Sequence, residues 1–349
     1  MRNGWRWLVG AVLGVLMSVG VGLEVMAESQ ESIRGITIST RRWGPGEWDR
    51  RDLMGPTLDR AVGVGANWVT IHPYARLGRG GRLWHDPAMQ DASVRVTIEE
   101  ARARGVKVMI KPHIAYWGTP FNWRGEITYG NDEAAWQRFF DGYRGWIVHQ
   151  AELAQRYGAE GFCIGLEYVG TMHREADWRR VIAAVRAVYD GPITYGANFD
   201  EYTRVPFWDA VDVIGVLGYF PISEQPNPSD AELDRGWREA MKTMRAFSTI
   251  HGKPIVFVEV GYPRSSFAAS EPWRYDDHGP EFEAYRLRVL RSALRAAENE
   301  PTVLGVFIWK WFAAPGPMSE EFILMGPEAK AMLRSVWKDG GVNGPLSGL

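Results

Sequence analysis

The sequence predicts an α/β fold, a single (β/α)8 barrel with enlarged loops at the carboxyl-terminal face of its strands. Short and nearly continuous hydrophobic runs alternate with longer amphipathic stretches along the whole chain, as expected for parallel strands that are covered on both faces. Eight such runs occur after the first 30 residues. Polar side chains collect where these runs end, which is the face on which barrels of this kind carry their functional groups.

The strands are predicted at residues 34–39, 67–72, 106–113, 161–167, 192–198, 211–219, 254–261 and 303–311. The helices between them are predicted at residues 52–65, 91–105, 133–158, 175–189, 230–251 and 281–298. The clearest helix is 133–158, where large aromatic residues recur mostly at helical spacing. Glycines close before the next strand mark helix ends, at Gly105, Gly158, Gly191 and Gly252.

An open, doubly wound sheet is the competing fold. It usually has fewer strands, and its first strand leads into a glycine-rich nucleotide-binding turn. Here the first strand leads into Thr40-Arg41-Arg42-Trp43. A TIM barrel is therefore favoured, and we expect one domain because no linker or internal repeat divides the chain.

The first 27 residues have the pattern of a secretory signal. Arg2 and Arg6 precede an uncharged run of 16 residues, 8–23, which is shorter than the roughly 20 residues of a comfortable membrane span. Val25 and Ala27 are small residues at the two positions that signal cleavage requires. We expect cleavage before Glu28 rather than an uncleaved anchor, a barrel over 28–337, and a glycine-rich tail over 338–349 that frays. The mature protein is then periplasmic or extracellular, without stable membrane insertion.

The amino-acid composition narrows the classes of function that this chain could have. The net charge of −2 and the absence of a basic stripe argue against a dedicated nucleic-acid binder. The single cysteine, Cys163, cannot form an intramolecular disulfide and is expected to be a small core residue. The 17 Trp, 13 Tyr and 14 Phe exceed what a core of this size needs. Such a surplus suits a site that stacks flat amphipathic ligands such as sugars, although dense core packing accounts for part of it.

Two glutamates end otherwise apolar strands. Glu167 closes the fourth strand and Glu259 lies near the end of the seventh. A carboxylate in this position is costly to desolvate unless it is paired or used. Two carboxylates facing one barrel mouth match glycoside hydrolysis, which needs a proton donor for the leaving oxygen and a carboxylate at the anomeric carbon. The alternative is structural, a salt bridge from each to a base such as Arg41 or Lys111.

The local sequence around these residues resembles that of clan A of the retaining glycoside hydrolases. It resembles more closely glycoside hydrolase family 113, whose characterised members are β-mannanases. The matching segments span most of the chain, at residues 108–113, 163–167, 207–216 with 219–221, 253–262 and 305–311. The resemblance implies that Glu167 is the general acid/base and Glu259 the nucleophile. It further implies that Tyr219 hydrogen-bonds the nucleophile and that Trp309 floors the subsite of the reacting sugar.

One position departs from the clan. Most of its members have Asn immediately before the acid/base, in contact with the sugar 2-hydroxyl, and here that residue is Leu166. Members of family 113 tend to lack that Asn as well, so catalysis is still expected. Asn198 and His113 are the candidates for binding the 2-hydroxyl.

The remaining candidates each have a structural alternative. Lys111 and His113 flank Pro112 and can point into one mouth, to bind substrate or to hold a loop by a charge network. His72 could bind substrate or be a satisfied core histidine. Trp117 lies in the aromatic-rich loop after strand three and Trp273 in the one after strand seven. Their side chains could form walls of the substrate cleft, or they could attach these long loops to the barrel rim. These loops also carry Tyr116, Phe121, Trp123, Tyr129, Tyr262 and Tyr275.

No trustworthy ligand spacing is present, so we expect neither a metal nor a cofactor. The expected partner is an oligo- or polysaccharide bound by a monomer. Three functions stay open: an exported retaining endo-β-glycosidase, an enzyme of the same mechanism acting on peptidoglycan or the cell's own surface polysaccharide, and a non-catalytic glycan-binding or envelope scaffold on the same barrel. The sequence does not identify the sugar, because loop contacts to hydroxyl groups set specificity.

Overall fold

Eight parallel strands close into a barrel in the computed structural model, which describes residues 31–41, 46–274, 277–316 and 322–339. Each strand pairs with its neighbours in chain order, and the last strand pairs with the first. The (β/α)8 prediction is confirmed. The strands are β1 Ile33–Ser39, β2 Trp68–Ile71, β3 Lys107–Ile110, β4 Gly161–Leu166, β5 Ile193–Asn198, β6 Val213–Leu217, β7 Ile255–Val260 and β8 Val303–Phe312.

The helices that cover the barrel begin and end at residues suited to those positions. In the helix 133–157, the Asp132 carboxylate accepts a hydrogen bond from the N–H of Ala135, and Gly158 ends the helix at a φ of 79° that favours glycine. Ser229 and Glu232 form a reciprocal capping box at the start of the helix that follows β6. The helices are α1 Arg51–Gly63, α2 Pro87–Arg102, α3 Glu133–Tyr157, α4 Glu175–Arg186, α5 Asp230–His251, α6 Glu283–Glu298 and α7 Pro327–Trp337.

The β5–β6 connection has no α-helix, and none was predicted there, whereas one helix after β8 was not predicted. The connection from β5 to β6 contains two short 3-10 turns, Tyr202–Arg204 and Trp208–Ala210, so this unit of the barrel is covered without an α-helix. Tyr202, Phe207 and Trp208 are buried there and close the barrel surface with their rings. The sequence analysis missed α7, whose buried face consists of only Ala329, Met332, Leu333 and Val336.

The third strand is shorter than predicted because prolines interrupt it. The strand pairing of β2 and β3 stops before Pro73 and Pro112, which have no N–H to donate. Beyond these prolines the chain forms a separate small sheet, in which Tyr74–Leu77 pairs with His113–Ala115 on one side and Leu83–Trp84 on the other. We call residues 72–86, which carry two of its strands, the strand-2 excursion.

The barrel interior is filled by a compact set of side chains. Gly35 on β1 faces Phe307 on β8 so closely that a Cβ atom at this glycine would lie 2.3 Å from the Phe307 ring. Cys163 is fully buried in this set, which confirms its prediction as a core residue. The other members are Trp68, Met109, Leu166, Leu217, Val256 and Val258.

The predicted signal segment 1–27 lies outside the described residues, as does the tail from residue 340 onward. Within the described ranges, no helix combines the length and the apolar character that crossing a membrane requires.

Candidate active site

Two glutamates occupy the carboxyl-terminal ends of β4 and β7. Glu167 directly follows the last residue of β4, and Glu259 is the penultimate residue of β7. The side chain of Glu259 is 6% exposed and that of Glu167 is 23% exposed. Each carboxylate contacts a different cation, so the two have different surroundings.

The Glu259 carboxylate is held by hydrogen bonds from two side chains. The Lys111 ammonium lies 2.6 Å from Oε1 and also donates to the Val258 carbonyl at 2.9 Å. The Tyr219 hydroxyl donates to Oε2 at 3.3 Å. Lys111 has no solvent exposure; its burial lowers its pKa, and the neighbouring Glu259 charge opposes that shift. Negative charge on Glu259 therefore has a direct, dehydrated counter-ion.

Glu167 has a looser charge partner. Nη1 of Arg124 lies 3.3 Å from Oε2 of Glu167, beyond the usual range for a charge-assisted hydrogen bond. Burial raises the pKa of Glu167, the positive charge of Arg124 opposes this shift, and the negative charge of Glu259 adds to it. A carboxyl group with a raised pKa keeps its proton to higher pH, which is what a proton donor requires.

The backbone of Glu167 is strained. Its φ is 60°, in the left-handed region that side chains other than those of glycine and asparagine avoid. The N–H of Glu167 donates to the Gly196 carbonyl on β5 at 2.9 Å, which holds the residue at the barrel rim. Such strain costs on the order of 1–3 kcal/mol and concentrates at functional sites.

His113 and Arg124 connect the two carboxylates. Nη1 of Arg124 lies 3.2 Å from Nδ1 of His113, and because a guanidinium only donates, this nitrogen must be the acceptor. The ring proton is then on Nε2, which lies 3.6 Å from Oε1 of Glu259. Burial and the surrounding cations lower the pKa of His113 well below its usual value, consistent with a neutral ring.

His72 and Trp309 stack around His113. The ring centroids of the two histidines are 4.7 Å apart, and Trp309 lies 5.9 Å from His113 with nearly parallel planes. His72 is 1% exposed, and within the described residues neither of its ring nitrogens has a hydrogen-bond partner. Burial lowers the pKa of His72 well below its usual value. Trp309 is half-buried, lies 5.2 Å from the Lys111 ammonium, and precedes a cis peptide bond to Lys310.

The other predicted site residues stand on the rim. Asn198 is the last residue of β5 and is half-buried. Trp117 and Trp273 are each 50% exposed, and Trp273 stacks on Phe199 at 5.5 Å. Most of the remaining loop aromatics attach loops to the barrel, since Tyr262 is fully buried and Tyr129 packs edge-on against Trp136 at 5.0 Å. Tyr275 lies outside the described residues.

Arg124 was not among the site residues predicted from the sequence. Of the two bases offered as possible partners of the glutamates, Lys111 pairs with Glu259, whereas Arg41 packs over Phe312 and Arg124 pairs with Glu167. Arg124 lies in the long connection after β3, where no periodic pattern marks it. Its one sequence signal is its place beside Trp123 in an aromatic-rich loop.

In the described part of the chain, no group of three His, Cys, Asp or Glu side chains is placed to hold a metal ion. The mouth holds the two carboxylates, with Lys111 beside Glu259 and Arg124 beside Glu167. Cys163 is not part of it, since it lies in the barrel interior and burial raises the pKa of its thiol to about 11.

A closed (β/α)8 barrel with carboxylates at the ends of β4 and β7 defines the class of the protein as a glycoside hydrolase. The profile of Glycoside Hydrolase Family 113 matches residues 57–321. The chain belongs to this family. A comparison with curated proteins gave no match.

Solved structures of the same family resemble this fold over nearly their whole length. The β-mannanase AaManA from Alicyclobacillus acidocaldarius, solved in complex with ManMIm, is 29% identical with a TM-score of 0.77, and the match covers 90% of this chain and 99% of that one. A GH113 β-1,4-mannanase solved as a complex is 23% identical with a TM-score of 0.75, over 88% of this chain and 99% of that chain. The second likeness shows the fold alone.

Proposed function

We propose that this protein is an exported, retaining endo-β-glycosidase that resembles a β-mannanase, with Glu167 as acid/base and Glu259 as nucleophile. The observation that carries the proposal is the contrast between the two carboxylates. Glu259 has a dehydrated ammonium at 2.6 Å, whereas Glu167 has a raised pKa and a more distant cation. Carboxyl groups whose surroundings differ in this way divide the acid and nucleophile roles of glycoside hydrolysis.

In the first step, the Glu259 carboxylate attacks the anomeric carbon while the glycosidic C–O bond breaks. The leaving oxygen takes the proton of Glu167, and a covalent glycosyl-enzyme forms. In the second step, the Glu167 carboxylate removes a proton from water, whose oxygen attacks the same carbon and releases Glu259 as a carboxylate. Two inversions give a product with the original β-configuration.

Lys111 has a part in both steps. While Glu259 is a free carboxylate, the ammonium compensates its charge inside the barrel. When Glu259 becomes an ester, the buried cation loses its counter-ion, which raises the energy of the intermediate. The same cation therefore favours release of the carboxylate in the second step. Tyr219 hydrogen-bonds Oε2 and fixes the direction in which the nucleophile points.

Substrate binding is assigned to the residues around this pair. Trp309 presents an indole beside His113 and floors the subsite of the reacting sugar. Asn198 and His113 are proposed to bind the 2-hydroxyl, because Leu166 is fully buried and has no polar atom to offer. We expect a monomer that acts on a β-mannan or a related β-linked polysaccharide, in keeping with the likeness to the β-mannanase AaManA.

The test is a hydrolysis screen over defined β-glycans and purified cell-wall material, with three variants. Glu259→Ala should abolish turnover of every substrate. Glu167→Ala should lose roughly 10²–10⁴-fold on an unactivated polymer, where acid catalysis matters most. Glu239→Ala, an exposed glutamate on α5, is the control and should behave as the unchanged protein.

Azide separates the two roles. With a dinitrophenyl glycoside the leaving group needs no proton, so azide should restore turnover of Glu167→Ala and give a β-glycosyl azide. The opposite pattern, a β-glycosyl azide from Glu259→Ala and an inverted α-azide from Glu167→Ala, would reverse the assignment. Binding of glycans without hydrolysis of any of them would instead support the scaffold, and hydrolysis of cell-wall material alone would redirect the proposal to that polymer.

A further inference from the structure

A cleft of about 430 Å³ lies beside the catalytic mouth, between the chain after β1, the strand-2 excursion and the start of α2. Tyr74 connects the cleft to the catalytic residues, because its ring lies 5.1 Å from His72 and 5.8 Å from His113. Tyr74 therefore borders both this cleft and the two histidines at the catalytic mouth. Tyr74 lines the cleft together with Arg76, Trp84 and Trp117.

Two indoles of the cleft are open to solvent. Trp84 is 66% exposed and Trp117 is 50% exposed. Trp117 packs against Tyr74 at 5.7 Å, which holds its ring at the cleft wall. Exposed, fixed aromatic rings offer the flat apolar surface on which the C–H faces of sugars stack.

The cleft lining carries two arginines, Arg41 and Arg76, and two carboxylates, Glu47 and Asp86. Arg76 is exposed, and no carboxylate of the described residues lies within ion-pair distance of it. The two acidic residues of the cleft are already engaged by backbone N–H groups, Glu47 by Arg41 and Ala314 and Asp86 by Met89.

Two further arginines of the strand-2 excursion add to this field. Arg79 and Arg82 are both exposed and, within the described part of the chain, likewise form no ion pair. Together with Arg76 they give the strand-2 excursion three arginines against one carboxylate, Asp86. Such an excess of positive charge attracts ligands of the opposite sign.

We propose that this cleft binds an acidic sugar, a unit carrying a carboxylate, of the same glycan that the glutamates cleave. Arg76 would pair with the sugar carboxylate through its planar fork of donors, and Trp84 and Trp117 would stack on the rings. A neutral polysaccharide would offer this guanidinium only hydroxyl acceptors, which form weaker hydrogen bonds than a carboxylate does. This inference rests on the proposed function and names its substrate class as an acidic β-glycan.

The test compares two probes that differ only at the C6 carbon of each sugar unit. The β-1,4-linked hexasaccharide of mannuronate carries carboxylates where mannohexaose has hydroxymethyl groups. Calorimetry with Glu259→Gln, which should bind without cleaving, gives the dissociation constants of both at low and high salt. We expect mannuronate to bind more tightly, with a preference that shrinks as salt screens the charge. The β-1,4-linked hexasaccharides of glucuronate and glucose serve as a second pair with a different 2-hydroxyl.

Three substitutions, each made in the Glu259→Gln variant, test which side chains cause the preference for the acidic probes. Arg76→Ser should weaken the acidic probe about fivefold and leave the neutral probe unchanged, because an exposed charge pair contributes modestly. Trp84→Ala should weaken both probes. Arg235→Ser removes an exposed arginine of α5, away from the cleft, and should change neither. Polyglutamate, a polyanion without sugar rings, should bind much more weakly than either acidic hexasaccharide.

Equal or tighter binding of the neutral probes overturns the proposal, as does an acidic preference that survives Arg76→Ser. Equal binding of polyglutamate would show a general anion patch, which also contradicts it. These outcomes are separate from failure of the proposed function, which would appear as no hydrolysis of any glycan by the unsubstituted enzyme. Hydrolysis of neutral polymers without acidic preference would keep the enzyme and remove this substrate class.

Discussion

Replacing Lys111 with methionine tests how the barrel holds the proposed nucleophile. Lys111 is fully buried and its ammonium lies 2.6 Å from Oε1 of Glu259, whose side chain is 6% exposed. Methionine has nearly the same length and fills the space without the charge. The substitution leaves a buried carboxylate whose remaining nearby partners are the Tyr219 hydroxyl and a neutral His113.

The expected loss of stability follows from the distance between the two charges and from their burial. Two unit charges 2.6 Å apart attract by about 6 kcal/mol at an effective dielectric constant of 20. The desolvation that both groups have already undergone offsets much of that attraction, and removing one partner of such a pair costs roughly 3–5 kcal/mol. We expect Lys111→Met to lower the free energy of unfolding at pH 7 by about 3 kcal/mol, the lower end of this range, because the Tyr219 hydroxyl still donates to the carboxylate.

Urea unfolding of four proteins measures the interaction energy between Lys111 and Glu259. The four are the unsubstituted chain, Lys111→Met, Glu259→Gln and the double variant. Glu259→Gln in the Lys111→Met background should recover at least half of the lost stability, because no buried charge is then left alone. Lys242→Met, on the exposed face of α5, is the control for losing a lysine. A loss below about 1 kcal/mol, or no recovery in the double variant, would refute the reasoning.

Three further predictions concern catalysis and export. Arg124→Gln removes the cation that favours ionised Glu167, so the pKa of Glu167 rises and the alkaline limb of kcat/KM moves to higher pH; an unmoved limb would show that another group sets it. Tyr219→Phe removes one long hydrogen bond to the nucleophile and should lower turnover about fivefold with an unchanged unfolding midpoint, whereas full activity would leave the hydroxyl without a role. Protein recovered from outside the cytoplasm should begin near Glu28 by mass spectrometry, and an intact N-terminus on membrane-bound protein would identify residues 8–23 as an anchor.

The barrel was predictable from the sequence because its strands are buried on both faces. Runs such as 161–167 and 254–261 are hydrophobic at almost every position, so their one ionisable residue stands out. The β5–β6 connection and α7 were harder to predict. Three buried rings take the place of a helix in that connection, and α7 buries only four side chains.

The site residues that lie at or near the carboxyl-terminal ends of strands were predictable from the sequence. Parallel strands bring Glu167, Glu259, Tyr219 and Trp309 to one face, and a residue at a strand end inherits that position. Arg124 reaches Glu167 from a long connection whose path depends on tertiary packing, so no local pattern could place it. The cleft under Trp84 depends likewise on the pairing of the strand-2 excursion with the segment after β3.

The most direct test of the central claim is to trap the covalent intermediate. The 2-deoxy-2-fluoro analogue of a glycoside that the enzyme hydrolyses slows both steps, and with a good leaving group the glycosyl-enzyme accumulates. Mass spectrometry of the digested protein then locates the sugar. The account predicts one label per chain, on Glu259. A label on Glu167 or on any other carboxylate, or no label on an enzyme that turns over the parent glycoside, would contradict it.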